Sequence, residues 1–140
     1  MNPIFRNILA VIAGLVLGSA VNMFFISLNG RVITLPEGAD VSTMEGLKES
    51  MSLFEPKHFI FPFLAHAMGT LIGAYFAAKI AATRKMMFAM IVGIGFLIGG
   101  IINVINLPAP AWFSTLDLIA AYIPMAWLGG RLGTKHSKKN

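Results

Sequence analysis

The stretch Met86–Leu107, MMFAMIVGIGFLIGGIINVINL, contains no charged residue. At a rise of about 1.5 Å per residue, a helix of this length covers the roughly 30 Å hydrocarbon core of a bilayer. Backbone groups that face lipid must find their hydrogen-bond partners within their own segment, and a helix meets this condition. The stretch therefore predicts a transmembrane helix.

Three further stretches of similar length and apolarity lie on either side of it, at Ile8–Leu28, Phe59–Ala82 and Thr115–Leu132. The whole chain of 140 residues is 56% hydrophobic and only 12% charged, whereas a soluble domain carries about 25% charged residues. We therefore predict an all-α integral membrane protein, in which residues 1–140 form a single domain of four transmembrane helices.

The connections between the spans differ in length. Thr83–Lys85 is so short that the second and third spans must be antiparallel neighbours, and Pro108–Phe113 is nearly as short. Only Asn29–Lys57 has room for structure of its own. In it, Ser42-x-x-Glu45 is typical of a capping box. The apolar residues that follow have helical spacing and would share one face of a helix: Met44, Leu47, Met51 and Phe54. This pattern predicts a short amphipathic helix that lies on the outer membrane surface or caps the bundle.

The charges are distributed unevenly between the two ends of the spans. One end holds only basic residues, namely Arg6, Lys79, Arg84, Lys85, Arg131, Lys135, Lys138 and Lys139. The other end holds Arg31, Lys48 and Lys57 together with Glu37, Asp40, Glu45, Glu49 and Glu55. Because Lys and Arg in short loops favour the cytoplasmic side, we expect a multi-pass protein of the cytoplasmic (inner) membrane with both termini in the cytoplasm. The basic tail 135–139 is expected to contact anionic headgroups.

Glycines recur at helical spacing in all four spans. The paired positions are Gly14 and Gly18, Gly69 and Gly73, Gly95 and Gly99, and Gly129 and Gly133. Small residues four apart allow helix backbones to approach closely in lipid. They predict packing faces, either between helices of one chain or between two copies.

The first and third spans also align without gaps, from Gly14 to Asn22 and from Gly95 to Asn103. The second and fourth spans each carry a proline before their glycine pair, Pro62 and Pro124. This similarity indicates two tandem helical hairpins, or a chance likeness between glycine-rich helices. Each proline is expected to kink its helix and to free one carbonyl.

The polar residues of the spans are predicted to gather at the outer end. They are His66, Asp117, Asn22, Asn103, Asn106, Thr70 and Ser19. Polar groups in lipid are costly, so this cluster is the candidate ligand-binding site. The cytoplasmic half of the spans is predicted to be apolar, apart from the hydroxyls of Tyr75 and Tyr122.

Two interpretations of the central residues remain open at the level of sequence. His66 and Asp117 form a candidate acid–base pair, because a carboxylate can fix the tautomer of an imidazole. Alternatively, Asp117 acts as an N-terminal cap in Ser114-x-x-Asp117, and His66 bonds to Asn22 or Asn103 across helices.

The sequence offers little support for cofactor chemistry. It has no cysteine and no HExxH-like histidine spacing, so we expect no metal and no cofactor. The basic residues flank apolar segments, which indicates a lipid bilayer as the partner and not a nucleic acid. The glycine faces favour a homo-oligomer or a place in a larger membrane complex.

Three functions are compatible with these features. The first is a non-catalytic accessory subunit or homo-oligomer that acts through helix packing. The second is a small oligomeric transporter or channel with a polar pocket in its outer half. In size and helix number the chain resembles the small fluoride channels and multidrug exporters, but it lacks the signature residues of both, including the intramembrane glutamate of the exporters, so the resemblance implies no function. The third is a lipid-modifying enzyme of the outer leaflet that uses His66 and Asp117.

Overall fold

The computed structural model describes residues 1–137, and this part of the chain is helical with no strands. Its α-helices are α1 (Pro3–Leu28), α2 (Met44–Ser50), α3 (Ile60–Ile80), α4 (Lys85–Asn106), α5 (Ala111–Ala120) and α6 (Ile123–Ser137). Short 3-10 turns at Met51–Leu53 and Pro56–Phe59 lead from α2 into α3.

Four helical stretches are long and apolar enough to cross a membrane: Pro3–Leu28, Pro56–Ile80, Lys85–Asn106 and Ala111–Ser137. The prediction of an all-helical chain with four such helices is confirmed. The bundle has two ends. We call the end that carries the long loop between α1 and α3 the loop end, and the end where α1 begins and α6 finishes the terminal end. Lys138 and Lys139 of the predicted basic tail lie outside the described residues.

The fourth predicted helix is broken. α5 ends at Ala120, Ala121 and Tyr122 form a bend, and α6 begins at Ile123. Pro124 explains the break, because it has no N–H to donate to the carbonyl of residue 120 and is tolerated only in the first turn of a helix. The kink expected at Pro124 is therefore present as a complete interruption.

Pro62 differs from Pro124 in its position, because no break in α3 follows it. It lies in the first turn of α3, where a missing N–H breaks no bond. The carbonyl of His58, which the proline leaves free, accepts a hydrogen bond from Asn29 Nδ2 at 3.4 Å.

Two helices begin before the apolar spans that the sequence predicts. α1 begins at Pro3 and not at Ile8, because the Asn2 side chain accepts a hydrogen bond from the N–H of Ile4 at 2.8 Å. α5 begins at Ala111 and not at Thr115, since Pro110 stands at its N-cap. Asp117 is therefore in the second turn of α5, and the interpretation of Ser114-x-x-Asp117 as a cap is wrong.

Helix α3 is central, in contact with α1, α4 and α6. Its glycines face those of α1 reciprocally: a Cβ atom added to Gly18 would lie 2.6 Å from the carbonyl oxygen of Gly69, and one added to Gly14 2.7 Å from that of Gly73. On the other side of α3, a Cβ atom at Gly129 would overlap the carbonyl oxygen of Leu71. Gly133 meets the carbonyl of Tyr75 in the same way.

The glycines of α4 pack differently from their predicted counterparts in α1. A Cβ atom at Gly95 would meet only the Leu15 side chain, at 3.3 Å, and one at Gly99 would meet nothing within 4 Å. The close approaches of α4 are instead at Gly93, against Ala126, and at Gly100, against Tyr122. The positions that the proposed repeat aligns do not make equivalent contacts.

The long loop caps the loop end of the bundle. The Thr43 hydroxyl accepts a hydrogen bond from the N–H of Gly46 at 3.0 Å, so Thr43, and not Ser42, is the N-cap of α2. Ser42 is used elsewhere: its hydroxyl and its N–H both donate to Asp40, which lowers the pKa of that carboxyl. Among the predicted apolar positions of α2 and the turn after it, Leu47, Met51 and Phe54 pack with Phe59 and Phe113, whereas Met44 is 61% exposed.

His58 fastens the start and the end of this loop together. It is buried, its Nδ1 accepts from the N–H of Glu55 at 2.8 Å, and its Nε2 lies 3.1 Å from the carbonyl of Thr34. Nε2–H is therefore the donor to that carbonyl. His58 therefore has a structural role in the loop.

Candidate functional site

His66 and Asp117 form a pair near the loop end of the bundle. Nδ1 of His66 lies 2.8 and 2.9 Å from the two carboxylate oxygens of Asp117. The Asp117 side chain is 4% exposed and the His66 side chain 16% exposed. Helix α5 places Asp117 on its buried side, against His66 of α3. His66 thus bonds to Asp117, and not to Asn22 or Asn103.

Two neighbours hold the pair in place. The Tyr122 hydroxyl donates to Asp117 Oδ2 at 3.2 Å, and the Tyr122 ring stacks on His66 with centroids 5.7 Å apart. Thr70, which is fully buried, donates its hydroxyl to the backbone carbonyl of His66 at 2.7 Å. Because Nδ1–H donates to the carboxylate, Nε2 is the ring nitrogen that remains for another molecule. None of residues 1–137 is a hydrogen-bond partner of Nε2.

The pair lines a cavity of about 370 Å³ between α1, α3, α4 and α5, beneath α2. Its walls are mainly apolar, with Met23 and Ile26 from α1, Leu47 and Met51 from the loop, and Phe113 from α5 among them. A second cavity of about 310 Å³ shares four lining residues with the first, namely His66, Asn22, Asn103 and Gly100. The two cavities meet at these residues.

The structure brings together four of the seven predicted polar residues on one cavity wall. They are His66, Asp117, Asn22 and Asn103. Thr70 supports His66 from behind without lining the cavity. Ser19 is exposed and lines neither cavity, and Asn106 is exposed and donates to the carbonyl of Ile102 in its own helix.

Sequence reasoning missed three polar contributors. Tyr122 was assigned to the apolar half, but the bend before Pro124 lets its hydroxyl reach back to Asp117. Ser114 lines the cavity beside Asp117, and so does Asn29, whose buried side-chain oxygen has no partner among the described residues. Pro124 was the only signal in the sequence that could have indicated the position of Tyr122.

The charge of the cavity is confined to its one ion pair. No Lys or Arg lines either cavity within residues 1–137, and the acidic residues of the loop face elsewhere. The same part of the chain holds no group of three or more His, Cys, Asp or Glu residues that could bind a metal ion. The site is therefore an apolar chamber with a hydrogen-bonding imidazole in its wall.

The chain matches no protein-family model, no curated protein and no solved structure. Function is therefore inferred from the chemistry of the cavity.

Proposed function

We propose that this chain is a non-catalytic, multi-pass membrane protein that binds an amphiphilic molecule from the bilayer in the cavity beneath α2. The observation that carries the proposal is the His66–Asp117 pair at the wall of a largely apolar cavity of about 370 Å³. Ligand sites typically occupy about 300 to 1,000 Å³, with apolar walls and a few polar groups that fix orientation. The two cavities together provide such a volume.

The polar group of the ligand is expected to be uncharged. An anionic head would approach the Asp117 carboxylate with no Lys or Arg lining the cavity to balance it. A cationic head would find that carboxylate already bonded to His66 and Tyr122. A ligand hydroxyl can donate to Nε2 of His66, and a hydroxyl or a carbonyl can accept from the amide of Asn22 or Asn103, in each case without a charge cost. A long-chain alcohol, a sterol or a quinone has this chemistry.

The packing of the two ends favours binding over a permanent channel. The terminal half of the bundle is closed by fully buried Ala74, Ala78, Ala89 and Ala126. The two cavities lined by His66 lie at the loop end, and these buried alanines separate them from the terminal end. In the orientation that we propose, with both termini in the cytoplasm, the cavity belongs to the outer leaflet of the cytoplasmic membrane.

The test is to identify lipids that copurify with the protein. The protein is purified in a mild detergent, and bound molecules are extracted and measured by mass spectrometry. We expect wild-type protein to retain a neutral apolar molecule, and Asn103→Ala or His66→Gln to retain at least tenfold less. Asn106→Ala is the matched control, because Asn106 lies on the same helix, is exposed and lines neither cavity.

Two results would contradict the proposal. One is wild-type protein that carries only bulk phospholipid, in the proportions of the membrane from which it was extracted. The other is an equal loss of the bound molecule in Asn103→Ala and Asn106→Ala. Such a loss would show that any change in α4 weakens retention, whether or not the residue lines the cavity.

A catalytic role is the second candidate, and the free Nε2 of His66 is the observation that favours it. A histidine whose Nδ1 is bonded to a carboxylate can exchange a proton through Nε2 with a substrate hydroxyl. This function predicts that the wild-type protein carries a chemically altered molecule, whereas His66→Gln carries the unaltered one. Unaltered cargo in the wild type would exclude it.

A further inference from the structure

A third concave site, separate from the two cavities lined by His66, lies at the terminal end of the bundle. It is a groove of about 620 Å³ between the turn that joins α3 to α4 and the last turns of α6. Four basic residues line it, Arg84 and Lys85 from the turn and Arg131 and Lys135 from α6. It shares no lining residue with the two cavities at the loop end.

The basic residues converge on the groove from two separate elements. Arg131 and Lys135 are four residues apart on α6, so they lie on the same face of that helix. Arg84 and Lys85 stand at the start of α4 on the opposite wall, where Lys85 Nζ donates to the carbonyls of Ala81 at 2.6 Å and Ala78 at 3.2 Å. Like charges that face each other repel unless an anion lies between them.

No acidic side chain neutralises this groove. All six Asp and Glu residues of the chain are in the loop before α3 or at Asp117, and none lines the groove. The ion pairs within residues 1–137 are those of Lys57 with Glu55 and His66 with Asp117. The guanidinium of Arg131 lies over the Trp127 ring, 5.1 Å from its centroid.

We infer that this groove binds the phosphate headgroup of an anionic phospholipid. Basic pockets between helices at a membrane surface are suited to phosphate headgroups, and Arg supplies the bidentate donors that phosphate oxygens accept. The volume is far larger than a phosphate requires and leaves room for a glycerol backbone. The acyl chains then lie along the lipid-facing side of α6, where Trp127 and Leu128 are exposed.

Trp127 provides a direct probe of the groove. The chain has two tryptophans, so Trp112→Phe leaves Trp127 as the single tryptophan, next to Arg131. This variant is reconstituted into vesicles that contain brominated phosphatidylglycerol among unlabelled phosphatidylcholine, or the reverse. Bromine on the acyl chain quenches tryptophan only at short range. We expect at least twofold stronger quenching by the anionic lipid at equal mole fraction.

The charge-removal variant is Arg84→Asn with Lys135→Gln, which leaves the Trp127–Arg131 contact intact. Asn suits position 84 because Arg84 has a left-handed backbone with φ of 44°. We expect this double variant to be quenched equally by the two lipids. Arg31→Gln with Lys48→Gln is the matched control: it removes the same charge from the loop end and is expected to keep the preference. Helicity by circular dichroism verifies that each variant is folded.

Four results would overturn the inference. Equal quenching of the parent protein by both lipids would show that the groove does not select an anion. Loss of the stronger quenching by anionic lipid in the loop-end control would show that this preference depends on the net charge of the protein and not on the groove. Loss of the preference in millimolar inorganic phosphate would make soluble phosphate, and not a lipid, the occupant. Absence of quenching by either lipid would contradict the membrane location itself.

Discussion

Asp117 is the only one of the six acidic residues that lies outside the loop between α1 and α3. Its carboxylate is nearly inaccessible and is bonded to His66 and Tyr122. A buried carboxylate is tolerated only when its oxygens have partners, because the charge loses its hydration. The three side chains therefore stabilise one another as a unit, and they orient Nε2 of His66.

The first prediction concerns this unit. Asp117→Asn is expected to lower the free energy of unfolding by about 3 kcal/mol, because it leaves a buried histidine without its ionic partner. His66→Gln should destabilise by a similar amount. The double variant should lose less than the sum of the two, with a coupling energy of about 1 to 3 kcal/mol. Unfolding in mixed micelles, followed by helicity, measures all four proteins.

These four proteins form a double-mutant cycle. Its control uses Asp40→Asn, which removes a carboxylate that is exposed in the loop. It should combine additively with His66→Gln. A His66–Asp117 coupling that is no larger than the His66–Asp40 coupling would contradict the ion pair.

The sequence indicated which residues form the site, but it did not indicate which of them bond to each other. His66 and Asp117 were recognisable because polar residues in apolar helices are rare and costly. Their bond could not be derived, because it depends on the start of α5 at Ala111, and Pro110 sets that start by standing at the N-cap. Tyr122 was missed for a related reason, since a continuous helix through Pro124 would have pointed its hydroxyl elsewhere.

At the scale of the helices, glycines with the same spacing have different roles. Gly18 faces the backbone of Gly69 at a distance that leaves no room for a methyl group, whereas Gly99 faces open space. Spacing alone indicates only that two glycines share a face. Which face meets a neighbour depends on the rotation of the helix, and that rotation is fixed by contacts with several other helices.

The second prediction compares these two positions. Gly18→Ala should destabilise the protein by about 2 kcal/mol, because the added carbon meets the carbonyl of Gly69 and the ring of Phe96. Gly99→Ala should be neutral or stabilise by about 0.5 to 1 kcal/mol, since alanine loses less backbone entropy than glycine in a helix. Thermal unfolding in one detergent compares the variants. Equal destabilisation by both would contradict the packing of α1 on α3.

At the scale of the whole molecule, the bundle is strongly asymmetric. The terminal end carries basic residues without acidic ones, and the loop end carries five acidic residues in a folded cap. The number of spanning helices followed directly from hydrophobic runs, which require no knowledge of tertiary contacts. Their arrangement around α3 did not follow, because short loops specify which helices are neighbours in sequence but not which helix is central.

The third prediction tests the orientation that we propose. The chain has no cysteine, so single cysteines can be introduced and labelled without a background. Lys48→Cys, in the loop, should react with a membrane-impermeant maleimide on intact cells that expose the outer face of the membrane. Lys135→Cys should react only after permeabilisation. The reverse pattern would place the termini outside.

The central position of α3 also has a consequence for the order of assembly during synthesis. Helix α3 is the second spanning helix to emerge, and α1, α4 and α6 all pack on it. Only α1 is synthesised before α3, the helix on which it packs, and the loop between them is made in the interval. Each later helix finds its docking surface already in place, so the bundle can grow by successive addition and does not depend on a final rearrangement of separate hairpins.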